Sequence, residues 1–245
     1  MGWDVTYHPV GHDDIASTYF ATLADPARED GLAQQYGLAS FDADKLRKVF
    51  ASARELPPDR PFNKGHAFHV AIVFGFVRKF HYVRGGAFSF LMDDPTMRRY
   101  TSDWKDLVPP QERSRVFENR LTENYCGGVF LSHEALRRLR TDYDTDAHVR
   151  TRLDETFSLG RVTVFWKAVD GALEQGLGLM EATEAIEPNP MDLNASAGYT
   201  NVLNCEPDGL LLYADAAREQ LAQAQKQFAQ ADRARKGLFA RLLGK

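Results

Sequence analysis

The chain has 245 residues, 44% hydrophobic and 26% charged, enough to bury a sizeable core without disulfides or a structural metal. A formal net charge of -4 and a pI near 6.0 exclude the general basic surface with which nucleic-acid binders displace counterions. Its two cysteines, Cys126 and Cys205, make no CxxC pair and no framework, so a reducing compartment is expected.

Trp3, Val5 and Tyr7 alternate with Asp4, Thr6 and His8, which predicts a short strand ending at Pro9. The opening MGWDVT also meets the MGxxx[ST] acylation pattern at Gly2, a short pattern outweighed by the strand signal, and no secretory signal is expected. Asp13 and Asp14 favour a helix start, with Ile15, Tyr19, Phe20 and Leu23 on one face. Asp25, Pro26 and Glu29 resemble a capping box for a short helix stopped by Gly37. Asp42 or Asp44 opens the next helix, carrying Leu46, Val49 and Phe50.

Pro57, Pro58 and Pro61 make 56–62 a loop and a candidate subdomain joint. Residues 64–81 are apolar all round, which fits a buried helix capped by Asn63; the β-branched and aromatic content makes a strand the competing reading. Arg84-Gly85-Gly86 is a turn. Val108-Pro109-Pro110 should open a helix through Val116, Phe117 and Leu121, and Gly127–Leu131 reads as a strand. Helices are expected after Ser132, after Asp144 or Thr145, and over 161–176, followed by a strand over 179–186. Residues 209–243 are strongly helical, but the tract AQAQKQFAQA predicts no long coiled coil. Arg233, Arg235, Lys236 and Arg241 give that helix a basic end, read as cations complementing its dipole. The predicted fold is one α-rich domain, mainly α or α+β with a few short strands, in which helices carry a small sheet. No stretch is apolar for long enough to span a bilayer.

No Walker loop, GxSxG, HExxH or zinc ribbon appears, so no catalytic residue, metal or cofactor is expected. His66 and His69 are three apart and would share a helix face, leaving a metal-assisted enzyme as one alternative; a zinc site needs further ligands that the sequence does not name. A scaffold or membrane-peripheral role for the C-terminal helix is another. Residues 61–120 carry ten Lys and Arg against six Asp and Glu; solvated helix flanks explain this better than an anion groove. Cys126 reads as a small buried hydrophobe.

The clearest anomaly is 181–208, EATEAIEPNPMDLNASAGYTNVLNCEPD, with six carboxylates and no base. Its Asn, Pro, Gly and Ser residues make turns through side-chain bonds to backbone. The carboxylates lack EF-hand spacing. Long ordered loops are often functional. The candidate partner-binding residues are therefore Glu181, Glu184, Glu187, Asp192, Asn194, Tyr199, Leu203 and Glu206, with a solvated, solubilising loop as the plain alternative.

The segments WDVTYHPV, KFHYVRGGAFSFL, GLGLMEATEAIEPNPMDLNAS and NVLNCEPDGLLLY make most of the chain resemble a group of bacterial proteins from polymorphic toxin loci, including type VI secretion loci of the Rhs kind. The resemblance carries no catalytic motif. It implies a cytoplasmic immunity protein that binds a cognate toxin or effector domain, such as a nuclease, and occludes its active site. The acidic segment would then face a basic cleft.

Overall fold

A computed structural model describes residues 3–243, with side chains through 227. The acylation pattern at Gly2 and the basic end at 233–241 lie outside the described residues and side chains.

The order of elements is β1 (Asp4–Val10), α1 (His12–Asp14), a π-helical turn (Ile15–Phe20), α2 (Ala21–Ala24), α3 (Arg28–Gln35) and α4 (Ser40–Arg54). A second π-helical turn (Asn63–Ala67) runs into α5 (Phe68–Val77), followed by β2 (His81–Arg84), a 3-10 turn (Phe88–Leu91), α6 (Pro95–Arg98) and α7 (Trp104–Leu107). Then come β3 (Gly127–Leu131), α8 (His133–Thr145), α9 (Ala147–Thr156), α10 (Arg161–Glu174), β4 (Gly178–Thr183), β5 (Ile186–Glu187), β6 (Ala197–Gly198) and α11 (Pro207–Leu243). The architecture is helix-rich α+β.

Four antiparallel strands in the order β2-β1-β4-β3 form the central sheet. Alternation assigns its two faces. Val5, Tyr7, Val83, Leu131 and Leu179 pack against Phe165 and Val169 of α10 and against α8 and α9. Val10, Phe130, Met180 and Ala182 pack against α5, which Phe50 of α4 and Tyr19 cover in turn. Because α5 lies between the sheet and a further helical layer, nearly all of it is buried, which is why its sequence shows no polar stripe. Phe50 and Ala53 before loop 56–62, Phe62 at its end and Ala67 after it belong to one core cluster.

Several local expectations are corrected. The 64–81 helix begins one residue earlier and ends at Val77, and His81–Arg84 is a strand. Asn63 caps nothing; it is buried and donates to Arg120 O and Thr122 Oγ1. Glu29 is not a capping-box partner: its carboxylate takes Arg54 at 2.5 Å. No helix forms over 110–121 beyond the turn Pro110–Glu112. That segment spends its polar groups on tertiary partners: Val116 O accepts from Phe62 N, Asn119 Oδ1 from Trp104 N, and Leu121 N donates to Ser89 Oγ. The expected strand 179–186 breaks at Glu184, whose φ of +57° turns the chain between β4 and β5.

Candidate partner-binding surface

The acidic segment is not one surface. Glu181 sits on a central strand covered on both faces and is 0% exposed, and Glu184 is buried beside β1. Both are thereby removed from any contact surface in the folded chain. Glu181 pairs with Tyr7 across the sheet. Its carboxylate accepts from Tyr7 Oη (3.2 Å), Phe88 N (2.9 Å), Ser89 N (3.0 Å), Val129 N (3.3 Å) and Ser89 Oγ. Gly128 gives it room, since a Cβ there would collide with the carboxylate. Burial pushes the Glu181 carboxyl up to about 7, although these hydrogen bonds pull the other way. Glu184 accepts weakly from Asp4 N (3.3 Å), and burial with the nearby Asp4 charge pushes it up to about 7.

From Glu187 the chain reaches the surface, Ala185 and Ile186 being still buried. Asn189 Oδ1 accepts from Met191 N (3.1 Å), Asp192 Oδ1 from Asn194 N (3.1 Å) and Asn201 Oδ1 from Leu203 N (3.0 Å). Thr200 Oγ1 donates to Ile72 O (2.7 Å), and Asn204 Nδ2 to Phe76 O (2.8 Å), pinning the loop along α5. The asparagines therefore build the loop, as their composition predicts. Asn194 is exposed but serves here through its backbone.

Tyr199 stands 5.6 Å from Tyr125 at 79°, and both rings meet Phe68, at 5.9 and 6.2 Å, nearly edge-on. The tyrosines remain 50% and 43% exposed, while Phe68 roots them in the core. Tyr125 donates to Glu187 Oε1 (3.0 Å), and that bond with the Glu187 charge pushes the phenol up to about 12. Tyr125 has φ +58°, in the left-handed region that costs a non-glycine residue about 1–2 kcal/mol. The turn is held by Cys126 N donating to Thr183 Oγ1 (3.1 Å) and by the Cys126 thiol donating to Glu123 O (2.9 Å). Leu203 at 85% and Met191 at 55% add further apolar exposure along the same segment.

The remaining acids separate by pairing. Glu206 meets Lys79 at 3.5 Å and Asp208 meets Lys167, but among the described residues neither Glu187 nor Asp192 has an ion-pair partner. Much of the basic stretch is likewise paired: Arg78 with Asp14, Arg84 with Asp4, Arg99 with Asp142 and Arg120 with Asp93. Of the sequence candidates, Glu187, Asp192, Asn194, Tyr199 and Leu203 are exposed and Glu206 is half-buried. Tyr125 and Phe68 were missed, because Tyr125 lies in a segment with no periodic pattern and joins the site only through the fold.

His66 and His69 do not converge. His66 Nδ1 bonds Tyr19 Oη (2.8 Å), while His69 Nδ1 donates to Gly65 O (3.0 Å). Among the described residues no group of three His, Cys, Asp or Glu is placed to hold a metal ion, and no helix is long and apolar enough to cross a membrane. Cys126 and Cys205 are buried free thiols. The sequence matches no family model, no curated protein and no solved structure.

Proposed function

We propose that this chain is a non-enzymatic binding protein, an immunity protein that neutralises a bacterial toxin or effector domain by covering its active site. The observation that carries the binding reading is the Tyr125–Tyr199 corner beside Glu187. Two rigid, half-exposed aromatic rings rooted on Phe68 stand next to a carboxylate with no cation of its own. Aromatic anchors supply much of the energy of protein interfaces, and unpaired carboxylates beside them favour a basic partner and speed its approach. The strained turn at Tyr125 supports the reading, because backbone strain concentrates where a side chain must be presented. The toxin class comes from the resemblance of the four sequence segments, and the cytoplasmic setting comes with it.

The test is co-purification with the product of the adjacent gene. Glu187→Lys with Asp192→Lys should slow association and weaken it at low salt, and Tyr199→Ser should speed dissociation. Tight binding unchanged by both variants would exclude this face as the contact.

A further inference from the structure

α11 runs from Pro207 to Leu243 and leaves the body early. Leu210 is 8% exposed and Ala214 is fully buried, whereas Leu221 is 46% exposed. From Leu221 to Gln227 every residue except the half-buried Ala224 is exposed. From Ala217 to Leu243 the helix is about 40 Å long at 1.5 Å per residue. Helices owe most of their stability to packing one face, so a free stretch of this length calls for a partner.

The face that docks continues past the point where docking stops. Leu210, Ala214, Ala217, Leu221 and Ala224 are spaced alternately by four and three residues. Phe228, Ala231, Arg235, Leu238 and Leu242 continue that spacing without a break. This is the seam of a coiled coil, kept up for more than four heptads. The tract AQAQKQFAQA hides it, because two of its three seam positions are alanines among other alanines. Arg235 is the one charged seam residue, and a polar residue there fixes register and orientation.

Size and charge both select an antiparallel second copy. With Leu221 opposite Leu238 of the other copy, Ala217 meets Leu242, Ala224 meets Arg235 and Phe228 meets Ala231. Every seam alanine of the free stretch then faces a longer side chain, as well-filled layers require. The register also uses the whole free length, since the other helix ends level with Ala217, where the body begins. A parallel copy in register would set alanine on alanine at 217, 224 and 231 and arginine on arginine at 235. Residues 233–245 carry five Lys and Arg and no acid. The antiparallel copy brings Arg241 and Lys245 to the level of Glu219 and Asp215. Among the described residues Glu219 has no ion-pair partner, and Asp215 has only the exposed Arg218 of its own helix.

We propose that α11 is a dimerisation element, in which residues 217–243 of two copies of this chain pair as an antiparallel coiled coil. No residue of the Tyr125–Tyr199 corner takes part, so this inference and the partner-binding reading stand or fall separately.

Light scattering after size exclusion reads the mass of the full chain at about 100 μM. Twice the 27.6 kDa of one chain is expected. Leu221→Asp combined with Phe228→Asp puts charge into the seam beyond the folded body. It should halve the mass and leave the near-UV circular dichroism of the body unchanged. Cysteines read the orientation. Chains with Leu221→Cys and chains with Leu238→Cys should join by a disulfide when mixed under oxidation, at least tenfold faster than either joins to itself. A monomer at this concentration, a dimer that survives the double Asp variant, or faster self-joining of Leu221→Cys overturns the proposal. A monomer that also floats with phosphatidylglycerol vesicles would assign the face to an anionic bilayer instead.

Discussion

Replacing Glu181 with Gln tests the account of the buried carboxylate. In the native chain the group holds its proton to about pH 7, whereas the unfolded chain releases it near the ordinary value of 4.5. Below 4.5 both states are protonated and the contribution is complete. Between 4.5 and 7 the unfolded state binds fewer protons than the native state, so stability falls as pH rises; above 7 the loss is complete. A gap of that width corresponds to about 3 kcal/mol. Glutamine does not titrate, so its variant lacks this slope, while Glu184, which titrates over the same range, is common to both proteins and cancels. The amide also replaces a carboxyl oxygen, which can accept whether or not the group is protonated, with an NH2 that cannot, at a site where Phe88 N, Ser89 N, Val129 N and two hydroxyls all seek an acceptor. That mismatch costs about 1–3 kcal/mol. Urea unfolding at pH 5 and pH 7.5 gives the comparison. The variant should be clearly weaker than the parent at pH 5 and should regain about 2 kcal/mol relative to it at pH 7.5, since part of the loss is already complete at pH 5. A difference that stays constant to within about 1 kcal/mol across these pH values would refute the reasoning.

Gly209→Ala would put a Cβ into the Tyr82 carbonyl, so the first turn of α11 should leave β2, and limited proteolysis should show faster cleavage after residue 206. Tyr125→Gly relieves the left-handed turn but removes ring contacts worth about 0.5–1.5 kcal/mol each. Its unfolding free energy should therefore stay within about 1 kcal/mol of the parent while partner binding drops. Thr200→Val leaves Ile72 O without its side-chain donor and should cost about 1–2 kcal/mol in urea unfolding.

The parts of the fold written in local pattern were legible. Both faces of β1 are buried, and its alternation is legible because Val5 and Tyr7 face α10 while the buried Thr6 and His8 on the other face hydrogen-bond to each other; the all-round apolarity of α5 reflects its place between sheet and helices. The asparagine-rich loop declared its turns because the bonds that make them are local. Glu181 was misplaced for the opposite reason. A glutamate among acids reads as solvated, and nothing near it in sequence shows that residues 88, 89 and 129 will deliver donors. The proline-led segment 110–121 carried a helix-start signal, but tertiary acceptors and donors took its backbone. Tyr199 and Glu187 were readable as exposed candidates; Tyr125 was not, since its conformation is set by Cys126 and Thr183 rather than by its neighbours' propensities.

The sheet also sets a timetable. β1 is an inner strand, and Tyr7 meets its Glu181 partner across 174 positions of chain. At translation rates of roughly 5–20 residues per second, β4 leaves the ribosome on the order of ten to thirty seconds after β1. Until then β1 has only β2 as a neighbour, and its other edge is an open row of backbone donors and acceptors beside Val5 and Tyr7. The growing chain is therefore most exposed to mispairing before β4 arrives. A chaperone that shields this one edge would protect the step that closes the sheet.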